Sequence, residues 1–418
     1  MPELYQKTAL TPMRAARLSG YIDWASQPSL FKHYPEFLFR YPFGTNPALR
    51  TVELSRFITS RAVIGGKPYF RLNTPSAGNL HPIELYVQIR GVKGVLSGIY
   101  HVNAGEEALV LIREIERDGI EPEVGLSERF EGMLFIVSCV PFRSEWKYGE
   151  RALRYCYLDA GHQIGAVAAA AAAGGQDATI LSGFDANCLN AKMGFSEQEF
   201  GCAVLAVGER GKRSVEAMKG TLMQVAPTDY CDTKGEIPRQ IAEQELFEST
   251  QFFGSPAIDE KAISGRRSAR HFSGASLPNG PFEHFMHLLE DAPEPLVCHT
   301  VVLRSETAAA GVYAGGVLVR EGLYDDEISA LLVDQRFVKE AAMVTVMTSA
   351  SFGSDALMAA GAFGHRLHLE AEGRGVGFTG IGAFYDYKLQ RFLGTEDYIL
   401  YVCAVGVEKK QGSSRHEC

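Results

Sequence analysis

Among its 418 residues the sequence has no CxxC pair, no His–Cys cluster, only two tryptophans and no apolar run long enough to cross a bilayer. The eight cysteines, at 139, 156, 188, 202, 231, 298, 403 and 418, are scattered. Most sit in apolar settings such as FIVSCVPF and YVCAVGV, so they read as buried free thiols in a reducing cytosol, not as zinc ligands or a disulfide framework. The longest apolar run, GAVAAAAAAGG at residues 165–175, falls well short of the roughly 20 residues of a membrane helix. The opening MPELYQKTAL lacks the apolar centre of a signal peptide, so a cytoplasmic protein with no membrane partner is expected. Positive charge is also scarce: 41 Lys and Arg stand against 50 Asp and Glu, a net charge of −9. That balance argues against nucleic acid as a partner, although it leaves room for a small basic pocket. No Gly-x-Gly-x-x-Gly strand–turn–helix fingerprint occurs, so a Rossmann nicotinamide domain is not expected. The eleven histidines fall singly or in loose pairs. His365 and His368 lie one turn apart, but Arg366 and the Ala- and Glu-rich setting favour an ordinary helix face over a metal site.

What the chain does have is a repeat. Residues 159–208 (DAGHQIGAVAAAAAAGG…ILSGFDANCLNAKMGFSEQEFGCAVLAVG) and 361–406 (GAFGHRLHLEAEGRGVGFTGIGAFYDYKLQRFLGTEDYILYVCAVG) run in the same order. Each has Gly-His opening an Ala-rich helix, a Gly break, a turn with Phe and Asp, a short helix with Leu and Lys, and an apolar strand ending Ala-Val-Gly. Each copy follows a strand, at residues 133–140 and 342–348. Helices alternating with short strands point to an α+β or α/β domain around one sheet, present twice. The length independently favours two domains. The expected division is an N-terminal extension (1–50), a first domain (51–226), a connector (227–250) with one short helix near residues 238–247, and a second domain (251–418).

Three segments carry chemistry. In RLNTPSAGNLHP, residues 71–82, Pro75 fixes the entry to a short turn before a strand at Ile83–Arg90. Ser76, Gly78 and Asn79 there offer a hydroxyl, unhindered backbone and an amide to a flat polar ring; alone, the segment is equally an ordinary turn. In RRSARHF, residues 266–272, Arg266, Arg267, Arg270 and Ser268 match a phosphate, since guanidinium forks grip its oxygens in pairs; a solvated, salt-bridged turn is the plain alternative. In FRSEWKYGERALRY, residues 142–155, Lys147 and Tyr148 are adjacent proton donors or acceptors beside Trp146. A lysine desolvated against aromatic surface can act as a base, while a surface patch with a snorkelling lysine gives the same pattern.

Together these segments resemble the nitroreductase superfamily, and the first half is most similar to its azoline-oxidising branch, which dehydrogenates thiazoline and oxazoline rings in ribosomally made peptides. PSAGNLHPIELYV resembles the family's Pro-Ser flavin loop, RRSARHF its FMN-phosphate motif, and WKYGERALRYCYLDAGH the azoline-oxidase segment with a catalytic Lys-Tyr pair. GFTGIGAF resembles the late Gly-rich loop near the flavin ring. The resemblance implies two nitroreductase-like α+β domains in tandem, each a mixed or antiparallel sheet flanked by helices, paired as an internal pseudo-dimer. It implies FMN as cofactor, with Arg71, Pro75, Ser76, Ala77, Gly78, Asn79, Arg266, Arg267, Ser268, Arg270, Gly380, Ile381 and Gly382 as binding residues and Lys147 and Tyr148 as catalytic ones.

Family members bind each FMN between two subunits. Here the turn and the Lys-Tyr pair occur only in the first half, and the arginine cluster and the better Gly loop only in the second. One composite site with one FMN per chain is therefore expected, beside one degenerate pseudo-site, with a small-molecule or modified-peptide substrate. A homodimer of pseudo-dimers stays open. The competing readings are an NAD(P)H-dependent nitro or quinone reductase, and a non-catalytic flavin-binding or scaffold partner in a peptide-modifying complex.

Overall fold

The Val-, Ile- and Phe-rich runs form two antiparallel sheets in a computed structural model that describes residues 2–409, apart from 19, 21, 196, 234–236, 238–239 and 241–257. The chain divides into two units. The first comprises Met1–Ala9, Ala16–Gly265 and Phe352–Arg366; the second comprises Leu10–Ala15, Arg266–Ser351 and Leu367–Cys418. The expected connector helix at residues 238–247 lies outside the described residues, save for 240, and so does the boundary placed near residue 250.

In the first unit, helix α1 (Pro2–Thr8) precedes strand β1 (Arg40–Pro42), helix α2 (Arg50–Ser55) and a hairpin of β2 (Ile58–Ile64) and β3 (Lys67–Leu72). The sheet strands follow: β4 (Ile83–Arg90), β5 (Gly98–Asn103), β6 (Ala108–Glu114) and β7 (Glu128–Cys139). Next come α3 (Phe142–Tyr148), the long α4 (Ala152–Ala173), β8 (Ala178–Leu181), α5 (Ala186–Lys192) and β9 (Phe200–Ser214). The sheet order is β1-β6-β5-β4-β7-β9-β8, and every neighbouring pair is antiparallel. Its core gathers Tyr86, Ile136 and Val204 from the strands with Phe184 and Leu189 from the α5 region.

The second unit contains α6 (Asn279–Glu290), β10 (Val297–Val302), β11 (Gly311–Ala314), β12 (Val317–Glu321) and β13 (Met343–Ser349). Helix α7 (Ser354–Gly373) follows, with its residues through Arg366 in the first unit. Then come β14 (Gly377–Ile381), α8 (Asp386–Leu393) and β15 (Tyr398–Gly406). The strand order is β12-β11-β10-β13-β15-β14, again antiparallel throughout. Val301, Val344, Val402, Phe384 and Leu389 lie in its core.

Setting β1 aside, both sheets have one topology: third, second, first, fourth, sixth, fifth strand. In both, a long helix follows the fourth strand and a short one precedes the sixth. The repeat seen in the sequence is therefore a repeat of fold. The Gly breaks fall where expected, with Gly175 and Gly375 in the left-handed region (φ +70° and +66°) just past α4 and α7. In the first copy Asp185 caps the short helix, accepting from the N–H groups of Asn187 and Cys188.

One expectation needs correction. The Gly-His pairs, Gly161-His162 and Gly364-His365, do not open the long helices; they lie well inside them. A mid-helix glycine costs about 1 kcal/mol relative to alanine, and close packing is what requires one here. Within the first unit, a Cβ on Gly161 would strike the Met358 carbonyl and come within 2.9 Å of the Gly361 Cα. One on Gly361 would strike the Leu158 carbonyl and lie 3.0 Å from the Gly161 Cα. The two helices cross backbone to backbone.

Apart from Leu10–Ala15, the N-terminal extension belongs to the first unit. Arg154 of α4 donates to Thr8 Oγ1 at 2.8 Å and lies over the Tyr5 ring at 4.5 Å. Further along, Lys32 enters the interior and meets Glu199 at 2.7 Å. Glu199 also accepts from the hydroxyls of Tyr86 and Ser138, each at 2.8 Å. Beside them Glu84 binds Arg143 at 2.7 Å and His101 at 3.0 Å. All of these groups are buried. The extension also supplies β1, which pairs with β6 and closes that edge with Pro42 opposite Ala108. The counterpart of β6 in the second sheet, β12, is itself an edge strand among the described residues, with Val317 and Val319 exposed.

Five of the seven described cysteines are buried, Cys188 is exposed and Cys231 is intermediate; all seven are free. Among the described residues, no helix is long and apolar enough to cross a membrane.

Candidate functional site

The hairpin β2–β3 delivers the chain into the turn at residues 73–82, which is cross-braced by its own polar groups. Asn79 Nδ2 donates to the Phe70 carbonyl at 2.7 Å, and its Oδ1 lies 3.1 Å from His81 Nε2. Gly78 (φ +65°) and Asn79 (φ +59°) both take the left-handed region, which glycine enters freely and asparagine tolerates. Ser76 donates to Asp159 Oδ2 at 2.5 Å and accepts from the His81 N–H at 2.9 Å. The Ala77 N–H faces Asp159 Oδ1 at 3.4 Å. Thus the serine hydroxyl expected to face a ligand is directed inward. Pro75, Ser76, Ala77 and Asn79 are half-buried, and Gly78 is exposed. Arg71 lies apart on the surface with its guanidinium 5.6 Å from the centre of the Tyr69 ring.

Helix α3 brings Lys147 and Tyr148 to the same turn. A Cβ on Gly78 would run into the Tyr148 hydroxyl and lie 3.1 Å from Lys147 Nζ. Two side chains from one helix therefore converge on the one exposed glycine of the turn. Lys147 is flanked by Trp24, with Nζ 5.0 Å from its ring centre, and by Tyr148 at 5.1 Å. Trp146 holds this arrangement through Ser26, donating Nε1–H at 3.1 Å, and through an edge-on contact with Trp24 at 5.5 Å. Burial lowers the pKa of Lys147. Burial foremost, then Tyr155 and Asp159, pushes the Tyr148 phenol well up. The pair is thus divided in role: Lys147 loses its proton more readily than a free lysine, while Tyr148 keeps its proton and donates. Neither head group has an ion-pair or hydrogen-bond partner among the described residues. Lys147 lines a cavity of about 300 Å³ whose walls include Arg17, Asp23, Ser26 and Trp146.

In the second unit the arginine cluster does not act as one surface. Arg266 is buried, 3.4 Å from both ring nitrogens of His368, and burial lowers its pKa to about 10. Arg267 is exposed and binds Glu408 through both arms of its fork, at 2.8 and 2.5 Å. Ser268 is half-buried, and Arg270 is exposed without an ion pair among the described residues. Burial lifts the nearby Glu372 carboxyl above its usual range, with Arg267 and Arg266 pulling the other way and Glu408 adding to the rise. The open donors here are Ser268 and Arg270.

In the late glycine loop, a Cβ on Gly380 would collide with the Tyr401 hydroxyl, so packing against β15 already requires a glycine there. Ile381 is buried in the sheet's core, and Gly382 is half-buried just past β14.

The HRLH histidines diverge in their contacts: His365 lies edge-on to His162 at 5.7 Å, and His368 packs on Phe378 at 4.7 Å. Among the described residues no group of three or more His, Cys, Asp or Glu side chains converges as a metal site.

Sequence reasoning missed Trp24, Ser26 and Asp159. Asp159 did carry a signal, as the only carboxylate in the 22 residues of α4. Trp24 and Ser26 lie in the extension, where no periodicity ties them to residue 147.

Comparison with known proteins finds one family likeness, in sequence over the second half and in fold over the whole chain. Residues 263–407 match the nitroreductase family. "Putative nitroreductase MJ1384" of Methanocaldococcus jannaschii is 32% identical over 91 residues, 21% of this chain and 46% of that protein. The chain thus spans about half the length of this curated relative. A crystal structure of a "putative nitroreductase" from Anabaena variabilis covers 98% of this chain and 99% of its own, with a TM-score of 0.79 at 22% identity. That likeness shows a shared fold along both units. The E. coli microcin synthetase McbBCD complex with truncated pro-MccB17 covers 51% of this chain at a TM-score of 0.34 and 17% identity, too slight a likeness to bear on the substrate. The sequence likeness to the nitroreductase family thus rests on residues 263–407, and the likeness over the rest of the chain is one of fold.

Proposed function

We propose that this chain is an FMN-dependent oxidoreductase holding one flavin and moving a hydride between it and a carbon of a small molecule or modified peptide. The observation that carries this reading is the convergence of Lys147 Nζ and the Tyr148 hydroxyl, neither with a polar partner among the described residues, on exposed Gly78. The Tyr148 hydroxyl and Lys147 Nζ take the space a side chain would fill at Gly78, so a flat ring bound at this turn would meet both head groups. The nucleotide's phosphate needs cationic forks, and Arg270 with Ser268, joined by Arg267 once it leaves Glu408, has that chemistry.

Bound FMN supplies a two-electron acceptor or donor; the protein supplies orientation and proton transfer. Lys147, with its lowered pKa, takes the proton that leaves as a substrate carbon is oxidised. Tyr148, held as a phenol, donates a hydrogen bond to the charge that develops. Trp24 and Trp146 cover one side of the lysine and so partly desolvate it. The finer reading, oxidation of an azoline ring in a peptide, rests on the resemblance of the segment around Lys147 to the azoline oxidases.

Absorption of the purified protein, loaded with FMN, tests the assignment. One flavin per chain is expected; a protein that takes up none overturns the reading, and two per chain overturn the single site. Lys147→Ala should retain flavin and lose turnover by about 10²-fold; unchanged turnover removes Lys147 from the chemistry. Rapid bleaching by NADPH would make the enzyme a reductase.

A further inference from the structure

Asp159 is a carboxylate in an apolar helix with no cationic partner among the described residues: the groups acting on it are the Ser76 hydroxyl at 2.5 Å and the Ala77 N–H at 3.4 Å. Ser76 Oγ is also the acceptor for the His81 N–H at 2.9 Å. A serine hydroxyl has one proton and two lone pairs. As the structure stands, the proton and one lone pair are committed within the turn.

Resting on the flavin reading above, we propose that Asp159 is a positioning residue whose protonation state decides whether Ser76 turns its hydroxyl proton inward to the carboxylate or outward to a bound ligand. With Asp159 ionised, Ser76 donates to it. With Asp159 protonated, the acid O–H donates to the second lone pair of Ser76, and His81 N–H keeps the first. The Ser76 proton is then available to an acceptor on a bound ring. The exchange takes up one proton from solvent, moves no heavy atom and involves no electrons.

The surroundings suit such a device. Burial raises the Asp159 carboxyl to about 7, against the two hydrogen bonds from Ser76 and Ala77 that pull it down. Both states are therefore populated near neutrality. The titratable neighbours are Tyr148 from α3, held as a phenol, and Tyr155 and His162 on Asp159's own helix. His365 from α7 lies against His162. From the turn, the His81 ring faces the Phe70 carbonyl and Asn79, while Lys147 reaches to Gly78. Because the folded carboxyl binds its proton more tightly than an unfolded one, its contribution to stability is complete below the ordinary aspartate range. That contribution is lost as pH rises through about 7.

FMN titration of the full-length protein by flavin fluorescence, between about pH 6 and about pH 8, tests the proposal with wild type, Asp159→Asn and Ser76→Ala. Wild type should bind about three- to tenfold more tightly at the acid end, the worth of one neutral hydrogen bond. Asp159→Asn should keep the tight value throughout, and Ser76→Ala the weak one. A wild-type profile without a step, or a step that persists in Asp159→Asn, overturns the proposal. A second readout needs no flavin: carboxyl ¹³C NMR of aspartate-labelled apoprotein should show Asp159 titrating near neutrality, and higher still in Ser76→Ala. A midpoint in the ordinary carboxylate range overturns the proposal even if the asparagine variant fails to fold. Should wild type bind no FMN while the NMR titration behaves as stated, the flavin reading fails and the Asp159–Ser76 exchange stands.

Discussion

Lys32 Nζ lies 2.7 Å from Glu199 Oε2, with the two side chains 1% and 0% exposed. Removing one member of a buried pair leaves the other charge uncompensated, so Lys32→Met should cost about 3–5 kcal/mol of stability. Lys32→Met/Glu199→Leu should recover part of that loss, because no ion is then stranded. Burial acts to lower the lysine's pKa, but Glu199, Tyr34 and Glu84 outweigh it, and the net direction is upward. The pair's contribution is therefore complete below the ordinary lysine range and disappears as pH rises through the folded value. Urea denaturation at neutral and at strongly alkaline pH checks both points: wild type should lose stability at high pH, and Lys32→Met should lose less.

The crossing of α4 and α7 gives a sharper steric expectation. Gly161→Ala places a methyl against the Met358 carbonyl, which belongs to backbone and cannot yield as a side-chain tip would. The loss should be about 3 kcal/mol or more. Gly373, at the end of α7, has nothing within 4 Å of where a Cβ would sit, so Gly373→Ala should gain about 0.5–1 kcal/mol from helix propensity alone. Equal effects at the two sites in chemical denaturation would remove the packing argument.

Arg267 and Glu408 make a third expectation. If Arg267 contributes to phosphate binding, Glu408 competes for the same fork, and Glu408→Gln should tighten FMN binding about two- to fivefold, as suits a partly exposed pair. Riboflavin, which lacks the phosphate, serves as the control and should bind both proteins alike. Weaker FMN binding by Glu408→Gln would mean that Glu408 instead holds the arginine in place.

The fold is more legible in the sequence than the site. Dense β-branched runs mark β4, β7, β13 and β15, and the ordered recurrence of helix, Gly break, short helix and strand exposes the duplication. The helix starts are misleading because Gly-His resembles an opening signal. The backbone contact that makes Gly161 and Gly361 necessary joins residues two hundred positions apart, which no local pattern records. In the site, Lys147 and Tyr148 are adjacent in sequence, so their joint position is readable. The burial of Arg266 behind His368, the tie from Arg267 to Glu408 and the inward hydrogen bond of Ser76 are tertiary facts. A cluster of arginines in sequence says nothing about which of them the fold turns outward.

The strand Arg40–Pro42 gives the two copies unequal borders. Proline has no N–H, so the first sheet finishes on a residue that offers a newcomer one hydrogen-bonding group fewer, whereas among the described residues the second finishes on a valine-rich strand whose outward N–H and C=O groups have no neighbouring strand. A chain shortened to begin after residue 42 would leave its first sheet bordered by β6. Both copies would then present an edge strand as a template for intermolecular pairing, and the cavity beside Lys147 would lose the walls that Arg17, Asp23 and Ser26 supply.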